Sequence, residues 1–162
     1  MTELVRLDQA ALDLYAAGFN ASQMMRQFGF RLSFPNAAHV RLDLDTFHEG
    51  HRGGMGTDAI NGGILAAMFD FALGNTSMLA PPLRRNATVQ LSFTFERAVT
   101  GAAMHCEARI DRAASHMLFS SAEITDDRGN ICARASGIVS MGREITLEEW
   151  TAKVARMPGG SS

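Results

Sequence analysis

Apolar positions recur along the chain with two different periods, and each change of period marks a new element. Leu4, Leu7, Ala11, Leu14 and Tyr15 follow helical spacing and predict a helix over 3–17, ended by Gly18-Phe19-Asn20. Ser22 is placed to cap a second short helix, Gln23 to Phe28, which Gly29 closes. Phe30 to Phe34 reads as extended, with a turn at Pro35-Asn36. From His39 to Phe47 the period is two, with Val40, Leu42 and Leu44 opposing His39, Arg41, Asp43 and Asp45. Residues 48–58 hold four glycines and no apolar period, which predicts a loop.

Helical spacing returns at Asn61-Gly62-Gly63 and runs through Ile64, Leu65, Met68, Phe71, Ala72 and Leu79 to Pro81-Pro82. This long helix is apolar around most of its circumference and is predicted to be the most buried element. After Pro82 period two persists. Val89, Leu91, Phe93 and Phe95 oppose Thr88, Gln90, Ser92, Thr94 and Glu96; Met104, Cys106, Ala108 and Ile110 oppose His105, Glu107, Arg109 and Asp111. Strands from His116 to Thr125 and from Ile131 to Met141 flank the turn at 126–130, and Thr146 caps a tail helix with Glu148 and Glu149 in its first turn. The order predicts an α+β fold, with three or four long strands in an antiparallel meander wrapped around the long helix. No repeat or linker divides the chain, so one domain is expected over 1–162.

Composition narrows the function classes. Hydrophobic residues make up 46% and charged residues 20% of the 162, which is ordinary globular usage. A net charge of −2 offers no electrostatic footprint for nucleic acid. The stretch Ile64 to Leu73 is too short to span a bilayer and carries Asp70. The start Met1-Thr2-Glu3-Leu4 lacks the charged and apolar run of a signal peptide, and a cytoplasmic protein is expected. Cys106 and Cys132 are too few for a disulfide or zinc framework and read as buried thiols.

The segment Asn61-Gly-Gly-Ile-Leu-Ala-Ala-Met-Phe-Asp70 resembles the hotdog-fold acyl-CoA thioesterases of the phenylacetate-degradation (PaaI-like) type, within the 4HBT superfamily. That family opens its central helix with His-Gly-Gly and has a carboxylate nine residues after the His. Asn61 takes the His place here, Gly62 and Gly63 match, and Asp70 has the expected spacing. Thr88 stands eighteen residues after Asp70, where the family has Ser or Thr. The element order agrees with a hotdog from about 22 to 142, with helical extensions at both ends. Two departures stand out: the loop ahead of the helix has about two extra residues, with Gly56 as its candidate loop glycine, and no Asn occupies the family's loop position.

Thioester hydrolysis needs an activated water and a donor for the developing oxyanion. A helix start supplies free N–H groups and the positive end of the dipole, and glycines admit a carbonyl to them. By the resemblance Gly62 is the polarising amide; the alternative is that Gly62 and Gly63 only let the helix pack closely on a strand. Asp70 on an apolar helix must be desolvated or paired. It is the candidate base or nucleophile, or else a buried structural carboxylate. Thr88 would hold the carboxylate or the water. Asn61 donates and accepts hydrogen bonds but cannot become cationic.

Nine residues put Asp70 about 180° around the helix from Asn61 and about 13 Å along it, so one site needs two subunits. The resemblance agrees, implying at least a homodimer and further a homotetramer, with sites at the interface and no metal or redox cofactor. Met24, Met25, Met68 and Phe71 are candidates for an acyl channel, and Arg84 and Arg85 for pairing with coenzyme A phosphates. His48-Glu49-Gly50-His51 lacks metal-site spacing and reads as a solvated or gating loop. His105 and His116 read as strand-surface or core residues. The rival reading is an acyl-CoA binding protein that has lost turnover, motivated by the missing His and loop Asn. A hotdog dehydratase lacks a convincing His and acid pair, and a DNA-binding regulator lacks a basic helix-turn-helix.

Overall fold

The computed structural model describes residues 5–53 and 56–157. Two helices come first, α1 (Gln9–Asn20) and α2 (Gln23–Phe28), followed by β1 (Arg31–Asn36) and β2 (His39–Leu44). The central helix α3 (Gly62–Asn75) continues into a short 3-10 turn, Thr76–Leu79. Four long strands follow, β3 (Arg84–Phe95), β4 (Met104–Ala113), β5 (Met117–Asp126) and β6 (Ile131–Glu144), and α4 (Leu147–Ala155) closes the described chain.

Local chemistry accounts for the helix ends. Ser22 Oγ accepts from Met25 N at the start of α2, and Gly29 ends that helix at φ 72°, a left-handed conformation that a side chain disfavours. Thr146 and Glu149 form a reciprocal capping box on α4. The first helix departs from the spacing in the sequence. Asp8 caps it, accepting from Ala11 N, and it runs through Gly18 and Phe19 to Asn20 rather than ending there. Tertiary packing overrides the expected stop, because Gly18 lies under Met157, which leaves no room for a Cβ.

The six strands form one antiparallel sheet in the order β1-β2-β4-β5-β6-β3, and α3 packs against β2 through β6. Leu65, Met68, Phe69, Ala72 and Leu73 of α3 are buried among Val40, Leu42 and Leu44 of β2, Cys106 and Ala108 of β4 and Ile124 of β5. This is the predicted sheet around a central helix: the α+β hotdog fold. The expected meander holds only for β4, β5 and β6. β3 pairs with β6, and β4 pairs with β2. The segment after β3 is no hairpin: Glu96 N and Arg97 N donate to Cys132 O, and Ile60 N donates to Val99 O, with Val99 buried. The chain is thereby drawn past the start of α3 to the far side of the sheet. β6 also runs on past Met141 to Glu144, and β1 runs on through Pro35 to Asn36.

Candidate active site

The start of α3 is fixed from several directions. Asn61 is its N-cap: Oδ1 accepts from Gly63 N at 2.8 Å, while Asn61 N donates to His51 O at 2.8 Å. Asparagine is among the best residues for that position. Among the described residues the Gly62 N–H has no acceptor, so it remains one of the open donors of the first turn. Gly62 also meets a packing demand. A Cβ there would lie 2.9 Å from the Phe95 ring, so glycine lets that ring rest against the helix start and a larger residue would displace it. A cleft of about 300 Å³ opens beside it, between the helix start and the end of β3.

Asp70 lies two turns further on. Its expected burial or pairing is not met in this chain: the carboxylate is exposed and has no hydrogen bond or ion pair among the described residues. The reason is positional, since α3 leaves this flank facing outward beside β3 instead of into the sheet. A cleft of about 190 Å³ holds Asp70 and Thr88 together with Tyr15, Phe71, Asn75 and Asn86. It shares no lining residue with the cleft at Gly62, which lies about 12 Å away along the axis.

A bulge aims Thr88 at this cleft. Thr88 pairs with Val139 and Gln90 with Ile138, so Val89 is an extra residue in β3. Strict alternation would put Thr88 on the face opposite Phe93 and Phe95. The bulge returns it to theirs: Phe95 meets Gly62, Phe93 stacks on Phe69 at 6.2 Å, and Thr88 Oγ1 lies 3.3 Å from where a Gly74 Cβ would be. Tyr15 and Asn75 form the opposite wall. Tyr15 Oη donates to Asn75 Oδ1 at 3.0 Å, and burial pushes the tyrosine hydroxyl up to about 12, so it stays a neutral donor.

Other candidates are placed differently from expectation. Met25 and Met68 are fully buried in the core of the single chain and line neither of these two clefts. Met24 is exposed, whereas Phe71 sits edge-on to Phe28 and Phe30 at the rim of the Asp70 cleft. Gly56 takes φ 74° with open space around it, beside residues 54 and 55, which lie outside the described residues. Arg84 is held by Glu144 at 3.1 Å and donates to Ser115 O, while Arg85 is exposed.

The histidine loop is not solvated throughout. His51 is 2% exposed; its Nε2–H donates to Phe28 O at 2.8 Å and its Nδ1 accepts from His48 N. Both ring nitrogens are thereby used to hold the loop that meets Asn61. Among the described residues no group of three or more His, Cys, Asp or Glu is placed to hold a metal ion. Burial pushes both cysteine thiols up, away from the reactive thiolate. No described helix is long and apolar enough to cross a membrane.

Comparison with known proteins bears on the fold. Residues 58–133, which contain Asn61, Asp70 and Thr88, match the model of the family described as "Thioesterase superfamily". No curated protein matches the chain. A Shewanella oneidensis protein related to the thioesterase superfamily superposes with a TM-score of 0.75, at 16% identity over 85% of this chain and 100% of that one. A Haemophilus influenzae thioesterase gives 0.71, at 12% identity over 91% and 96% of the two chains. The E. coli PaaI protein from the phenylacetic acid degradation operon gives 0.70, at 12% identity over 83% and 94%. Residues 58–133 are thus similar to the thioesterase superfamily, and the chain has the hotdog fold of these structures.

Proposed function

We propose that the protein is an acyl-CoA thioesterase, active as a homodimer or a tetramer built from it, with each site shared between two subunits. The observation that carries this reading is the separation along α3: an unpaired carboxylate beside Thr88 in one cleft, and an open Gly62 amide in another. Neither cleft holds both halves of the chemistry. Both flank β3, where Val89, Phe93 and Phe95 stay exposed on an unpaired sheet edge. A second copy meeting this edge would bring its helix start toward Asp70.

In such a site Asp70, acting as base, takes a proton from water oriented by Thr88, and the hydroxide oxygen bonds to the thioester carbon. The resulting oxyanion accepts from the N–H of Gly62 of the partner subunit; one such donor is worth about 3 kcal/mol. Collapse breaks the carbon–sulfur bond, and the proton returns from Asp70 to sulfur. Water and thioester thus give an acid and coenzyme A. Attack by the carboxylate itself, through an anhydride that water then opens, reaches the same products.

The second reading, an acyl-CoA binding protein without turnover, is favoured by Asn61. Its Oδ1 is committed to the Gly63 amide and it cannot supply a cation where the family has His. Coenzyme A release from a panel of acyl-CoAs separates the readings. For a thioesterase, wild type releases thiol from at least one acyl class, and Asp70→Asn lowers kcat/KM at least about 100-fold. Release that survives Asp70→Asn rejects the mechanism, and binding without release moves the protein to the second class.

A further inference from the structure

A cleft of about 720 Å³ lies between the start of β3, inside the family match, and α4, outside it. Its lining holds four cations, Arg84, Arg85, Lys153 and Arg156, and one carboxylate, Glu149. That carboxylate is committed to Arg143, at 2.5 and 2.9 Å, and Arg84 is committed to Glu144. Among the described residues Arg85, Lys153 and Arg156 have no carboxylate within ion-pair distance. Lys153 Nζ lies 5.8 Å from the Tyr15 ring centroid. Burial, and then the nearby Arg85 charge, push its ammonium below the ordinary lysine value. Cations gathered without counter-charge repel one another, and an anion of several charges converts that repulsion into binding.

The cleft also has a direction. Tyr15 and Asn86 line both this cleft and the one that holds Asp70 and Thr88. A ligand seated on the cations therefore has its continuation beside the candidate carboxylate. We infer that the β3–α4 cleft seats the nucleotide phosphates of coenzyme A, with Arg85, Lys153 and Arg156 as the phosphate-binding groups. This rests on the acyl-CoA reading and adds the tail helix to it as a substrate-binding element. A concave cleft of this volume suits a nucleotide, whereas a protein carrying the acyl group on a phosphopantetheine arm would need a flatter basic face.

The test is calorimetric binding of free coenzyme A, dephospho-coenzyme A and pantetheine to the full chain. Wild type should bind coenzyme A at least tenfold more tightly than pantetheine. Lys153→Ala with Arg156→Ala, and separately Arg85→Ala on another element, should each weaken coenzyme A binding at least tenfold and flatten its salt dependence. Lys153→Arg with Arg156→Lys should keep affinity within threefold, which a merely structural role for those side chains does not require. Equal affinities for coenzyme A and pantetheine overturn the proposal, as does wild-type affinity in both alanine variants. So does a loss confined to an acyl carrier protein substrate. Because binding is read without turnover, coenzyme A release together with failed cation variants leaves the thioesterase reading standing. Intact phosphate binding with no release in the panel does the reverse.

Discussion

β1 ends one side of the sheet and β3 the other, and the two edges are finished differently. β1 is six residues long, carries Pro35 and slips register between Ser33 and Asn36. Helix α1 also lies along it. Gln9 Nε2 donates to Phe34 O, Asn20 Nδ2 donates to Leu32 O, and Asn20 Oδ1 accepts from Leu32 N, so side chains satisfy the strand's outward backbone groups. β3 is twice as long, with exposed Val89, Phe93 and Phe95, and its pairing shifts register between Arg84 and Asn86 and again at Val89. One edge is closed within the chain and carries no candidate chemistry. The open one runs past both candidate clefts, so what would complete the sheet there would also complete the site.

Charge is the sharpest way to break this contrast. Val89→Asp on the open edge should convert the assembly to monomers in sedimentation velocity and lower acyl-CoA turnover more than tenfold. Arg31→Ala on the closed edge should leave the assembly intact and change stability by no more than about 1 kcal/mol, since its partner Asp45 is exposed and its other partner, buried Asp43, keeps the ion pair with Arg41. Wild-type assembly in Val89→Asp would disqualify the β3 edge as the interface.

The closed edge can be opened instead. Asn20→Ala removes both side-chain bonds to Leu32 and should lower the unfolding free energy by about 1–3 kcal/mol in urea titrations, with earlier amide exchange at Leu32. At the start of α3, Asn61→Ala removes the cap and should cost about 1 kcal/mol by the same titration, without changing the oligomeric state. The smallest effect is expected from pH. Burial holds the His51 imidazole below its ordinary value, so the unfolded chain binds that proton first as pH falls. The stability contributed by neutral His51 is whole above about pH 6.5 and drains as pH drops toward the lowered value. The urea midpoint of wild type should fall through that window, and His51→Gln should flatten this slope.

How far the sequence carried these assignments depended on whether each signal was local. The α2 boundaries, the Gly29 cap and the Thr146 capping box are written in adjacent residues, and the structure has them where the spacing predicts. The pairing of β3 with β6 is not local. It follows from bonds that Glu96, Arg97 and Ile60 make to distant carbonyls, and no alternation pattern encodes those. Thr88 shows the limit more sharply: period two places it away from Phe93 and Phe95, and one extra residue reverses that. Asn61 as a helix cap is legible in the sequence, since Asn before a helical run is a capping signal. Lys153 and Arg156 leave no trace in the sequence pattern, because a cleft between two elements far apart in the chain has no local signature.

The stacking of Trp150 on Tyr15, 5.6 Å between ring centres, fastens α4 to α1, and the Arg143–Glu149 pair ties it to the last residues of β6. Evolution can therefore treat the tail as a separate dial. Substitutions on one nine-residue helix would reshape the α4 wall of the basic cleft while the packing between 58 and 133 stays as it is.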